Sequence, residues 1–143
     1  MLKKLLNKLL NKKRPTLLQD ISTHSEWIVK ALNSSGYTVD YTIDSMKEID
    51  RFIDEQNGPG GLIAHNRGQI LFALASYVGQ TVIKQYGGEW ITDDNDPKGE
   101  LNISVKLPNG FLMWPAQKCI KRCQLGAEES IYSYVRAIGT LGK

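Results

Sequence analysis

Between Leu62 and Tyr86 the apolar residues Ile63, Ile70, Leu71, Leu74, Tyr77, Val78, Val82 and Ile83 recur at intervals of three and four. That is the helical period, and a run of this length predicts one long helix. Ala73, Ala75, Ser76 and Gly79 interrupt it with small side chains, which allow another element to approach closely. Such a helix is the centre of a core, so the rest of the chain must supply the elements that cover it. Gly87-Gly88 ends it.

Past that point the period changes to two. Glu89-Trp90-Ile91-Thr92 reads as a short strand, and residues 93–99 as a turn-rich connection. Leu101, Ile103, Val105 and Leu107 alternate with Asn102, Ser104 and Lys106, which predicts a half-buried strand. Pro108-Asn109-Gly110 turns the chain, because Asn-Gly readily adopts the backbone of a tight hairpin. Residues 111–114 return as a third strand. Pro115 opens a helix at its first turn, where a missing N–H costs nothing, and the helix ends near Gly126. Residues 130–138 form a last helical segment.

Upstream of the long helix, residues 16–35 read as a helix closed by Gly36, a residue suited to a left-handed cap. Tyr37, Val39, Tyr41 and Ile43 alternate with Thr38, Asp40, Thr42 and Asp44, which predicts an early strand with one buried face. Ser45 and Glu48 have the spacing of a capping box, and Met46, Ile49, Phe52 and Ile53 give the helix that follows an apolar side. Residues 57–61 stop it. Strands cluster late and do not alternate with helices. The expected class is therefore α+β, with an antiparallel sheet of about four strands, one early strand plus a late three-strand meander, packed against helices.

The N-terminal segment stands apart. In residues 1–14, Leu2, Leu5, Leu6, Leu9 and Leu10 form one apolar stripe, and lysines and asparagines occupy the other side. Six of the 18 basic residues lie there and none of the 15 acids does, so the rest of the chain carries a balance of −3. Two units follow: a basic amphipathic helix at 1–14 and a single α+β domain at 15–143. The leucine stripe must be covered by the domain, a second copy or a lipid surface, or else the segment frays. Because the body is mildly acidic, nucleic acid is the least favoured partner.

Chemistry finds little to stand on. At 143 residues, the chain can bury roughly 68–70% of its unfolded surface and needs no metal or disulfide to fold. Cys119 and Cys123 lie four apart on one predicted helix, a spacing that does not favour a disulfide and suits a reducing, cytoplasmic setting. His24 and His65 read as solvated or capping residues, without a nucleophile or an orienting acid nearby in sequence. Asp93, Asp94, Asp96 and Glu100 read as a solvated loop; they lack the distal Glu of a calcium loop. Lys118, Lys121 and Arg122 fall on nearly one helix face and can meet an acidic partner or simply solvate that face. Trp90 and Trp114 are expected in the core or on a sheet face. No cofactor, no metal and no catalytic set is expected.

One resemblance adds to this. Leu74-Ala75-Ser76-Tyr77-Val78-Gly79, then Gly87-Gly88-Glu89-Trp90, then Pro115 with Lys118, Lys121, Arg122 and Gly126, followed by Glu129-Ser130 and Tyr134, resembles a group of small bacterial domains of unknown function. The resemblance spans about residues 45–135. Some members resemble immunity or accessory proteins encoded beside toxins, which implies a binding role and no enzymatic activity. The expected function is protein binding through Trp90, Asp93, Asp94, Asp96, Lys118, Lys121 and Arg122. Homodimerisation or contact with an anionic membrane would run through the N-terminal leucines.

Overall fold

The structure is a computed structural model that describes residues 1–10 and 15–141. Among these, seven α-helices and one sheet follow in the order α1 (Leu2–Leu10), α2 (Leu17–Ser34), α3 (Met46–Gln56), α4 (Leu62–His65), α5 (Arg67–Tyr86), β1 (Glu89–Ile91), β2 (Ser104–Lys106), β3 (Leu112–Met113), α6 (Pro115–Leu125) and α7 (Ile131–Ile138). A 3₁₀ turn, Gly126–Glu129, joins the last two. The class is α+β.

Helix α5 is the centre. Every residue from Ile70 to Gly79 is buried, as are Thr81 and Val82, so it has no solvent face over most of its length. Helices α2 and α6 cover it most extensively. Its buried hydroxyls are satisfied within the helix: Ser76 Oγ donates to the Phe72 carbonyl at 2.8 Å and Thr81 Oγ1 to the Tyr77 carbonyl at 2.9 Å. Among the described residues no buried side-chain nitrogen or oxygen lacks a partner. The helix expected from Leu62 is broken at Asn66, whose backbone leaves the helical region (φ −148°, ψ 57°). The Asn66 side chain bonds the Gln69 side chain, the local competition that makes Asn a poor interior helix residue.

Helix α2 starts with a reciprocal cap. Thr16 Oγ1 accepts from the Gln19 N–H at 3.2 Å, and Gln19 Oε1 accepts from the Thr16 N–H at 2.8 Å. It closes with the Tyr37 N–H donating to the Leu32 carbonyl at 3.0 Å, across Gly36 at φ +91°.

The sheet has three strands, in the order β1-β2-β3, all antiparallel. Trp90, Val105 and Met113 stand in register on its inner side, with Val105 and Met113 fully buried against the helices. The early strand expected at residues 37–44 does not form. Its alternation of burial is real, since Tyr37 and Val39 are buried and Thr38 and Asp40 exposed. No strand runs beside it, so side chains take the place of a ladder. Asn33 bonds both the N–H and the carbonyl of Val39 (2.9 and 3.1 Å), Glu48 accepts from the Thr38 N–H, and the Tyr77 hydroxyl accepts from the Tyr41 N–H at 3.0 Å. Tyr41 sits at φ +62°, a left-handed conformation that breaks any extended run. The expected capping box is also replaced. Ser45 Oγ donates to the Thr42 carbonyl at 2.6 Å and shares a hydrogen bond with the Tyr77 hydroxyl, and the Glu48 carboxylate is held by Thr38 and Arg51.

Candidate functional site

Side-chain parity along the meander decides what the sheet shows to solvent. With Met113 turned inward, Leu112 and Trp114 face out. Ile91 is on the same side of the sheet, away from the helices, but β2 lies between: Ser104 is opposite Ile91, and Lys106 separates Leu112 from Glu89. Ile91, Leu112 and Trp114 are 43%, 42% and 40% exposed on a face that polar residues ordinarily occupy, and Ile91 and Trp114 line one cleft together with Ser104. Trp114 is also the residue from which α6 departs, with Pro115 behind it fixing the helix start. Its ring is therefore carried on a junction of two rigid elements.

Trp114 divides two shallow clefts. The one toward the connection after β1 has a volume of about 490 Å³ and is lined by Ile91, Asp93, Asp96, Asn102 and Ser104. The one toward α6 and α7 has a volume of about 280 Å³ and is lined by Lys118, Lys121, Glu129 and Tyr134. Gln117 reaches both and donates to Asn102 Oδ1 at 3.2 Å. An acidic end and a basic end thus flank an aromatic ridge.

Most of these charges also hold the fold. Asp96 accepts from the Lys98 N–H at 2.9 Å and from Asn102 Nδ2 at 2.8 Å, and these bonds, the Asn102 one foremost, hold its carboxyl below the usual range. Asp93 accepts from the Asn95 N–H at 2.9 Å, as an acid does in a tight turn. Asp94 accepts from the Leu17 N–H at 2.8 Å and so satisfies a free donor at the start of α2. Lys118 Nζ lies 2.6 Å from Glu129 and 4.8 Å above the Tyr134 ring. That lysine holds the Glu129 carboxyl below its ordinary value. Lys121 is exposed.

Two of the expected partner-binding residues point elsewhere. Trp90 lies on the inner side of the sheet with its ring against Gly79. A Cβ at Gly79 would fall 2.0 Å from that ring, so glycine is what admits the indole. Trp90 Nε1–H donates to Gln80 at 3.2 Å. Arg122 is 3% exposed and does not share a face with Lys118 and Lys121. Its Nε donates to Asp50 at 2.8 Å and its Nη2 to Asp54 at 2.6 Å. The same Asp50 carboxylate accepts from Ser130 Oγ and from the N–H groups of Ile131 and Tyr132, at 2.9–3.0 Å, so it caps α7. Sequence reasoning missed Asp50 and Asp54, which lie 72 and 68 positions from Arg122. It also left Trp114 out of the site. The signal available was that Met113 and Trp114, being adjacent on a strand, cannot both face inward.

Other chemistry-bearing groups are dispersed. His24 Nδ1 bonds the Asp20 carbonyl at 2.8 Å and its ring meets Phe72 edge-on, while His65 is exposed at the end of α4. Cys119 and Cys123 are free thiols, and burial pushes Cys119 well above the usual thiol range and raises Cys123 as well, which suppresses the thiolate. Among the described residues no group of three or more His, Cys, Asp and Glu could hold a metal ion. Leu2, Leu5 and Leu6 on α1 are exposed. The side chains of Leu9 and Leu10, and residues 11–14 altogether, lie outside what the structure describes. No described helix is long and apolar enough to cross a membrane. Comparison with protein-family models, with curated proteins and with solved structures finds no match to this chain.

Proposed function

We propose that the protein is a non-catalytic protein-binding domain that docks its partner on the outer face of the sheet, with Trp114 as anchor. The observation that carries this reading is the exposed Trp114 ring, which shares a cleft with Ile91 and has opposite charges on its two sides. Tryptophan dominates interface energetics because a rigid aromatic surface is desolvated at little entropic cost. The charges at either end fix the register of the partner more than they add affinity. A complementary segment would lay apolar side chains over Trp114, a cation toward Asp93 and Asp96, and an acid toward Lys121.

Such a surface suits an immunity or adaptor protein that blocks its target by occupying it. Two free cysteines four apart on one helix suit a reducing, cytoplasmic location. The test is capture of a stoichiometric protein partner from native lysate by the full chain, repeated with Trp114→Ala. Removal of an anchoring indole is expected to weaken capture by about 2 kcal/mol, roughly thirtyfold, with the thermal unfolding transition nearly unmoved. Capture that survives Trp114→Ala, or the absence of any stoichiometric partner, overturns the reading.

A further inference from the structure

The described leucines of helix α1 are open to solvent. Leu2, Leu5 and Leu6 are 73%, 54% and 49% exposed, so the domain does not cover them. On a 3.6-residue period Leu9 and Leu10 continue the same stripe, and Lys3, Lys4 and Lys8 fall on the remaining circumference. A helix of this order is marginal alone in water. Its leucine stripe therefore calls for an apolar surface, and its charge narrows which one.

A second copy of α1 would align Lys3, Lys4 and Lys8 with the same residues of its partner, and α1 has no acid to offset them. An anionic bilayer answers both demands, with acyl chains for the leucines and headgroup charge for the lysines. Lys3 borders the stripe, where its long stem can lie along the apolar region and lift the ammonium into the headgroups. Residues 15–143, at −3, are repelled by the same surface, so attachment through the N-terminal segment leaves the domain standing off it. We propose that α1 is an interfacial helix that seats its leucine face in the headgroup–acyl boundary of an anionic lipid bilayer.

The test is sedimentation of the full chain with phosphatidylserine-containing vesicles and with pure phosphatidylcholine vesicles. Pelleting is expected with the anionic vesicles only, and it should weaken as salt rises. Replacing Lys3→Gln and Lys4→Gln together should lower partitioning about twentyfold, at about fivefold per lysine. Leu5→Glu with Leu6→Glu should abolish it while thermal unfolding stays unchanged, because both positions are exposed. Trp114→Ala should pellet like the parent. Absence of pelleting, equal pelleting on both vesicle types, or pelleting indifferent to the leucine substitutions overturns the proposal. So does a dimer, seen by light scattering, that the leucine substitutions disperse in a chain that ignores vesicles.

Discussion

Two places in the molecule gather acids and bases from distant parts of the chain, and they differ in how much bonding capacity is left over. At the junction of α3, α6 and α7, Arg122 is nearly excluded from water and the Asp50 carboxylate takes four donors from two separate segments. At the Trp114 ridge the same residue types are solvated, Lys121 is open, and the exposed Trp114 ring stands between them. The first arrangement is complete and has nothing to offer a partner. The second is held in place by internal hydrogen bonds yet keeps surface and charge available. Charge clustering alone therefore does not mark a binding site; unspent valence beside exposed apolar area does.

The comparison breaks most visibly at the junction. Arg122→Ala leaves Asp50 without its cation in a largely buried position and is expected to cost about 3–5 kcal/mol, read as a lower urea midpoint. A cost below about 1 kcal/mol would place this pair with ordinary surface pairs and erase the distinction. Next in size, Gly79→Val forces the Trp90 ring off α5, and an overpacked contact of this kind costs about 2 kcal/mol. Indole fluorescence should shift together with the loss of stability, because Trp90 then moves toward solvent. Trp114→Ala sharpens the contrast from the other side: at 40% exposure its stability cost should stay below about 1 kcal/mol.

The smallest expected effect concerns pH. Arg51 and, after it, the Thr38 N–H hold the Glu48 carboxyl below its ordinary value of 4.5. A depressed carboxyl contributes stability that is present above its unfolded value and is lost as pH falls through the folded one. Glu48→Gln should therefore be felt near neutrality and fade as pH drops below about 4.5, flattening the acid limb of the stability curve. Parallel acid limbs for the parent and the variant would show that Glu48 is not coupled to folding.

Periodicity made much of this architecture readable. The spacing of Ile70, Leu74, Tyr77 and Val78 located α5, and the alternation around Val105 with the Asn109-Gly110 turn located the β2–β3 hairpin. Period reports burial, however, and not pairing. Tyr37, Val39 and Tyr41 alternate as a strand would, while their backbone groups go to Asn33, Glu48 and Tyr77 instead. Ser45 and Glu48 carry a cap signature but spend their oxygens on a tertiary contact, and the capping box forms instead at Thr16 and Gln19. Of the candidate site, the acids of the connection and the lysines of α6 were visible as residue types. Their meeting on either side of Trp114 was not, because it depends on strand register and on a sheet face left bare.

The way Asp50 reaches across the fold has a temporal consequence. Helix α7 has only eight residues, too few to nucleate unaided, and its first free N–H groups are satisfied from α3. It therefore cannot be born early and wait for the rest. Its amides at Ile131 and Tyr132 become shielded from solvent exchange only once a carboxylate some 80 positions upstream has arrived. Protection of these two amides therefore reports whether α3 is docked against the start of α7.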